Sequence, residues 1–166
     1  MNDAHLHPPK PRRDDWCTPP EIVERVRRVF GGSIGLDPCS NANSVVHAEE
    51  EYRLPEHDGL HESWNWRTIY VNPPYGRGIG DWLCRCAMAS MEGSGVIALI
   101  PAAPDTKAWR DQVECAQAVC FVHGRITFLG APSAAPMPSA IVYWGSNWVG
   151  FAQEFQHIGG IWRTAK

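Results

Sequence analysis

The stretch Thr68-Ile69-Tyr70-Val71-Asn72-Pro73-Pro74-Tyr75 decides how the rest of the chain is read. Thr68 to Val71 is a short apolar run rich in β-branched and aromatic residues, the composition of a buried strand. At Asn72 it changes to a polar residue followed by two prolines, which cannot continue a sheet ladder. The prolines fix φ and carry no N–H, so the carbonyls of Asn72 and Pro73 face outward with no partner in their own segment. Asn72 adds a carboxamide oxygen and Tyr75 a flat aromatic face. Together these groups can hold a flat base by its exocyclic amino group, two oxygens accepting its hydrogens while the ring stacks.

Strands and helices alternate on both sides of this stretch. Upstream, Thr18-Pro19-Pro20-Glu21 has the spacing of a capping box, and Ile22, Val23, Val26, Val29 and Phe30 then repeat on one face until Gly31-Gly32. That pattern predicts an amphipathic helix with Thr18 as its N-cap. Ser33 to Asp37 reads as a short strand closed by Asp37-Pro38, and a carboxylate at such a strand end stands where open α/β sheets bind ligands. The same residues also suit a plain turn. Downstream, the spacing predicts a helix over Asp81 to Met91 and a fully apolar parallel strand over Gly95 to Ile100. A helix capped by Asp105 over Thr106 to Gln117, and a strand over Ala118 to Val122, follow. Ile126 to Leu129 and Ser139 to Trp144 read as two further strands joined by a proline-rich loop. Phe151 to Lys166 shows no clear period. The whole is a doubly wound α/β pattern.

Four elements in one order carry a resemblance: Asp15-Trp16-Cys17-Thr18-Pro19, Leu36-Asp37-Pro38-Cys39, Asp58-Gly59-Leu60 and Asn72-Pro73-Pro74-Tyr75. They are similar to the short phage-type DNA N6-adenine methyltransferases, over Asp14 to Trp144. The resemblance implies a Rossmann-like α/β fold with a mostly parallel, seven-stranded type of sheet and an antiparallel C-terminal hairpin. It implies S-adenosyl-L-methionine as cofactor, DNA as substrate, and an adenine-specific DNA methyltransferase activity. Asn72, Pro73, Pro74 and Tyr75 would be catalytic, with Tyr75 and Arg77 touching the nucleic acid. Trp16, Thr18, Pro19, Asp37, Pro38, Cys39, Asp58, Gly59, Leu60 and Asn72 would surround the cofactor. The Trp16-to-Pro19 element would lie at its methionine end and Asp58 at its adenine. The chain departs from the family twice. Asp37-Pro38-Cys39-Ser40-Asn41 lacks the usual glycine-rich turn, and Ala103 stands where the family carries an arginine in a P-x-R-x-D-T pattern. Cytosine N4, an RNA base or a glutamine amide presents a similar amino group, and a catalytically inactive nucleic-acid-binding module is a reading of another class.

Composition is consistent with this. A chain of 166 residues with 44% hydrophobic and 20% charged residues can bury a core, so the expectation is a mobile arm over 1–13 and a single domain over 14–166. No run of about 18 apolar residues and no apolar leader occurs, which points to a cytoplasmic protein, in the bacterial host if phage-encoded. Six cysteines without a C-x-x-C pair are expected as reduced thiols, with no metal site. The formal net charge of −3 means that DNA contacts must come from local cations such as Arg77. Trp64 and Trp66 read as core. One of Glu49, Glu50 and Glu51 is able to accept from ribose hydroxyls, though three consecutive acids also suit a solvated face. Loops 76–80 and 130–138 are the candidates for reading a short or relaxed target sequence.

Overall fold

The apolar runs assemble one sheet. The computed structural model describes residues 16–164, so the basic arm over 1–13 and Asp15 lie outside the described residues. In chain order the elements are α1 (Pro20–Phe30), β1 (Leu36–Asp37), β2 (Glu50–Glu51), β3 (Thr68–Val71), α2 (Ile79–Met91), β4 (Gly95–Pro101), one π-helical turn (Trp109–Val113), β5 (Ala118–Val122), β6 (Ser139–Trp144), α3 (Trp148–Phe155) and β7 (Gly159–Arg163). The seven strands lie in the order β2-β1-β3-β4-β6-β5-β7. Strands β1 to β4 pair in parallel, while β6 runs antiparallel to both β4 and β5, and β7 antiparallel to β5.

Each face of the sheet carries its own core. On one side α1 and α3 cover Tyr70, Ile97, Leu99 and Ile141; on the other α2 and the π-helical turn cover Ile69, Val71, Val96 and Val142. This alternation along β3 and β4 is the period-two signature of strands buried on both faces. Helix α1 buries the Ile22, Val23, Val26 and Val29 stripe read from the sequence. It stops at Gly31, which takes φ of 86° and, with Gly32, closes the last carbonyls of Arg28 and Arg27.

Three sequence expectations change. The 126–129 segment forms no sheet strand: only a Cys17–Leu129 bridge pairs it, so the expected hairpin of 126–129 with 139–144 is absent. Instead β6 is inserted between β4 and β5. Every residue of Ser139–Trp144 is buried, which an edge hairpin cannot provide and an internal strand does. The helix expected over Thr106–Gln117 shrinks to one π-helical turn. The Trp144 indole N–H donates to the Gln112 carbonyl at 3.2 Å and the Gln117 N–H donates to the Tyr143 carbonyl at 2.8 Å, so β6 takes groups a longer helix would use. Asp105 does not cap it: the N-cap of the turn is Ala108 without a side-chain bond, and Thr106 Oγ1 accepts from the Trp109 N–H at 3.3 Å. The unassigned tail from Phe151 completes α3, which starts at Trp148 and is capped by Asn147 accepting from the Gly150 N–H, and supplies the edge strand β7. Among the described residues no helix is long and apolar enough to cross a membrane.

Candidate active site

Strand order reverses between β1 and β3, because β1 has β2 on one side and β3 on the other. Open α/β sheets form their ligand crevice at the carboxyl ends of the strands flanking such a point. Here β1 ends in Asp37 and β3 runs directly into Asn72. An open cavity lies over these ends, lined by residues of both strands' carboxyl-end loops.

Two further segments complete the walls. The Trp16–Thr18 approach to α1 is held by the paired Cys17 and Leu129 backbones, at 3.0 and 2.8 Å. Thr18 does not cap α1, whose N-cap is Pro19 without a side-chain bond. Its hydroxyl instead lies 2.7 Å from the Tyr70 hydroxyl, a buried bond that ties the approach segment to β3. The second segment is the lip from Ile126 to Pro138. Phe128 stacks on Trp16 with centroids 6.4 Å apart and meets the Tyr75 ring edge-on at 6.0 Å, so three aromatic rings form one wall. The opposite wall is polar, with Ser40, Asn41 and Ser44 from the connection after β1.

Of the residues singled out in the sequence, Trp16, Thr18, Asp37, Cys39, Asn72, Pro73, Pro74 and Tyr75 line the cavity. The others do not reach its wall. Pro19 caps α1, and Arg77 is exposed in the loop before α2. The Asp58 side chain accepts from the Leu60 N–H at 3.0 Å and lies 2.9 Å from His61 Nδ1, bonds that hold its carboxyl below the usual range. Gly59 acts from below: a Cβ there would lie 1.7 Å from the Pro38 carbonyl oxygen, so only glycine lets this turn pack under the Asp37-Pro38 loop. Leu60 packs into the α2-side core. Sequence reading missed Phe128, Ser40, Asn41 and Ser44. The last three lie in the connection just after Asp37 and were open to notice as a polar run; Phe128 carried no local signal, because its position depends on the Cys17–Leu129 pairing.

The electrostatics are those of a dry site. Asp37 is 3% exposed, and burial raises its pKa from 3.8 to about 7, opposed by the Cys39 N–H and reinforced by the Glu51 charge. Burial, with Asp37 beside it, also pushes the Cys39 thiol well above its ordinary range, so it stays protonated and is no nucleophile. Burial likewise raises the Tyr75 phenol. Two buried side-chain polar atoms of this cavity, Trp16 Nε1 and Tyr75 Oη, lack a partner among the described residues. Buried polar atoms are rarely left unpaired unless a ligand or water completes them. No hydrogen bond among the described residues occupies the Asn72 carboxamide or the Pro73 carbonyl. None of the six cysteines is in a disulfide, and the described residues contain no cluster of three or more His, Cys, Asp or Glu able to hold a metal.

The comparisons agree with the geometry. A DNA N-6-adenine-methyltransferase of Haemophilus phage HP1 (strain HP1c1) is 25% identical over 122 residues, covering 72% of this chain and 69% of that protein. The family described as DNA N-6-adenine-methyltransferase (Dam) matches residues 5–141, which include every wall of the cavity. With its Asn-Pro-Pro-Tyr turn at the switch point of the sheet and a match across most of its length, the chain belongs to the DNA N-6-adenine-methyltransferase family.

Proposed function

We propose that this chain methylates the N6 amino group of adenine in DNA, using S-adenosyl-L-methionine and the Asn72-Pro73-Pro74-Tyr75 turn. The observation that carries this reading is the pair of unengaged acceptors, Asn72 Oδ1 and the Pro73 carbonyl, beside the Tyr75 ring and one strand from the buried Asp37. The sheet order suits a Rossmann-like methyltransferase, with β6 as its antiparallel insertion.

The residues present fit the cofactor. Asp37 offers a buried acceptor for hydroxyl or ammonium groups, the Trp16 indole N–H an unpaired donor, and Ser40 Oγ either role. Cys39 and the aromatic wall supply apolar contact. S-adenosyl-L-methionine supplies, when bound, an electrophilic methyl group on a sulfonium.

The chain's own contribution is to position and polarise the acceptor. An adenine amino nitrogen is a poor nucleophile because its lone pair is delocalised into the ring. Asn72 Oδ1 and the Pro73 oxygen, by accepting its two hydrogens, favour a pyramidal nitrogen and stabilise the positive charge that develops on it. Rigid prolines on both sides of that carbonyl keep the acceptors from relaxing away. A base inside a duplex cannot reach this turn, so the target nucleotide rotates out of the stack, and contact with Tyr75 offsets part of the unstacking cost. Arg77, exposed in the loop after the turn, is the cation this reading assigns to a backbone phosphate.

The test is to incubate purified protein with methyl-labelled S-adenosyl-L-methionine and mixed-sequence DNA, then digest to nucleosides. Label in N6-methyladenine is the expected result. Label in N4-methylcytosine, or none in DNA, overturns the adenine reading.

A further inference from the structure

We infer that Met137 is the wedge that fills the gap left in a DNA duplex when the target adenine enters the cavity, an inference that rests on the function proposed above. Phe128, Ala135 and Pro136 of the 126–138 lip line the cavity, and Met137 follows directly. It is 46% exposed, although unbranched and apolar. Both neighbours are pinned. An Arg125 guanidinium N–H donates to the Pro136 carbonyl at 2.5 Å, and the Ala102 N–H donates to the Pro138 carbonyl at 2.9 Å. Two prolines fix φ on either side, and Ser139 then enters the sheet fully buried. The chain thus holds an exposed, flexible thioether on a rigid knuckle next to the cavity-lining Pro136.

A second exposed apolar side chain lies on the same lip. Ile126 and Phe128 turn inward, while Leu129 is 46% exposed. Single exposed apolar residues need no explanation; what sets Met137 apart is that its neighbour Pro136 lines the cavity. Apolar side chains, methionine and leucine among them, are inserted between base steps by proteins that unstack DNA. The polarisable, unbranched methionine adapts to an irregular gap. Single-stranded DNA has no closed stack to fill, which makes the role separable from catalysis.

The test compares wild type, Met137→Ala and Met137→Leu on mixed-sequence duplex DNA and on the same DNA heat-denatured, with calorimetric S-adenosyl-L-methionine binding measured in parallel. Met137→Ala is expected to lose about tenfold or more in kcat/KM on the duplex, the scale of the unstacking cost it no longer offsets, and to stay within about twofold on single strands. Met137→Leu is expected to retain duplex turnover, and cofactor binding to be unchanged in both variants. Equal losses on both DNA forms, or full duplex activity in Met137→Ala, would overturn the wedge while leaving the methyltransferase reading intact. No labelled N6-methyladenine from the wild type would overturn the proposed function, and the wedge with it.

Discussion

Asp37→Asn should stabilise the folded chain more at alkaline than at acidic pH, and at the same time weaken cofactor binding. The carboxyl ionises near 3.8 when exposed and near 7 in the fold, chiefly because burial removes its water. The folded state therefore holds this proton more tightly than the unfolded state. The resulting stability is fully present below pH 3.8 and is lost as pH rises through about 7. A shift of about three units, at about 1.4 kcal/mol each, amounts to roughly 4 kcal/mol, of which roughly 2 to 3 kcal/mol falls between about pH 5 and pH 8. Asparagine keeps an oxygen for the Cys39 N–H, now donating to Asp37 Oδ1 at 3.1 Å, and has no charge to desolvate. Urea unfolding of both proteins across this pH range isolates the effect, since other groups cancel in the difference. The stability gap should widen toward Asp37→Asn as pH rises, by roughly 2 kcal/mol or more. A gap that is flat with pH would refute the reasoning.

Four further outcomes follow from the same geometry. Asn72→Ala should reduce methyl transfer by about a hundredfold or more by removing one of two charge-stabilising acceptors, with calorimetric cofactor affinity within a few-fold of wild type; retained turnover would sink the mechanism. Tyr75→Ala should weaken capture of the displaced base, and an unchanged 2-aminopurine fluorescence titration would contradict that role. Gly59→Ala forces a Cβ to within 1.7 Å of the Pro38 carbonyl oxygen. Backbone must move, and chemical unfolding should show a loss of about 1–3 kcal/mol together with weaker cofactor binding. Thr18→Val leaves the buried Tyr70 hydroxyl without its 2.7 Å partner, so denaturant unfolding should show a cost of about 1–3 kcal/mol, and wild-type stability would argue against that bond.

The strand ending at Asn72, the amphipathic α1 and the apolar β4 were legible because each rests on a local pattern: a period-two or 3.6-residue repeat closed by proline or glycine. The Asn72-to-Tyr75 turn belongs with them. Two prolines after a strand force free carbonyls wherever the strand is placed, so Asn72, Pro73 and Tyr75 were readable as a group of acceptors beside an aromatic ring before any fold was known, and all three line the cavity. Asp37 was readable as a strand-end carboxylate, but its raised pKa was not, since that depends on how completely later segments exclude water.

The amino-acid sequence by itself thus determined the strand-to-turn form of Asn72 to Tyr75, the alternation of strands and helices, and the family. Tertiary structure alone decided which groups face that turn. Thr18 looked like a cap until a tyrosine hydroxyl 52 positions on took its side chain. Ser139–Trp144 looked like half of a hairpin until burial on both faces drew it between β4 and β5. Phe128 entered the site only because Leu129 pairs with Cys17. In each case a local preference worth a fraction of a kcal/mol to about 1 kcal/mol competes with burial and buried hydrogen bonds worth as much or more, and the long-range partner wins.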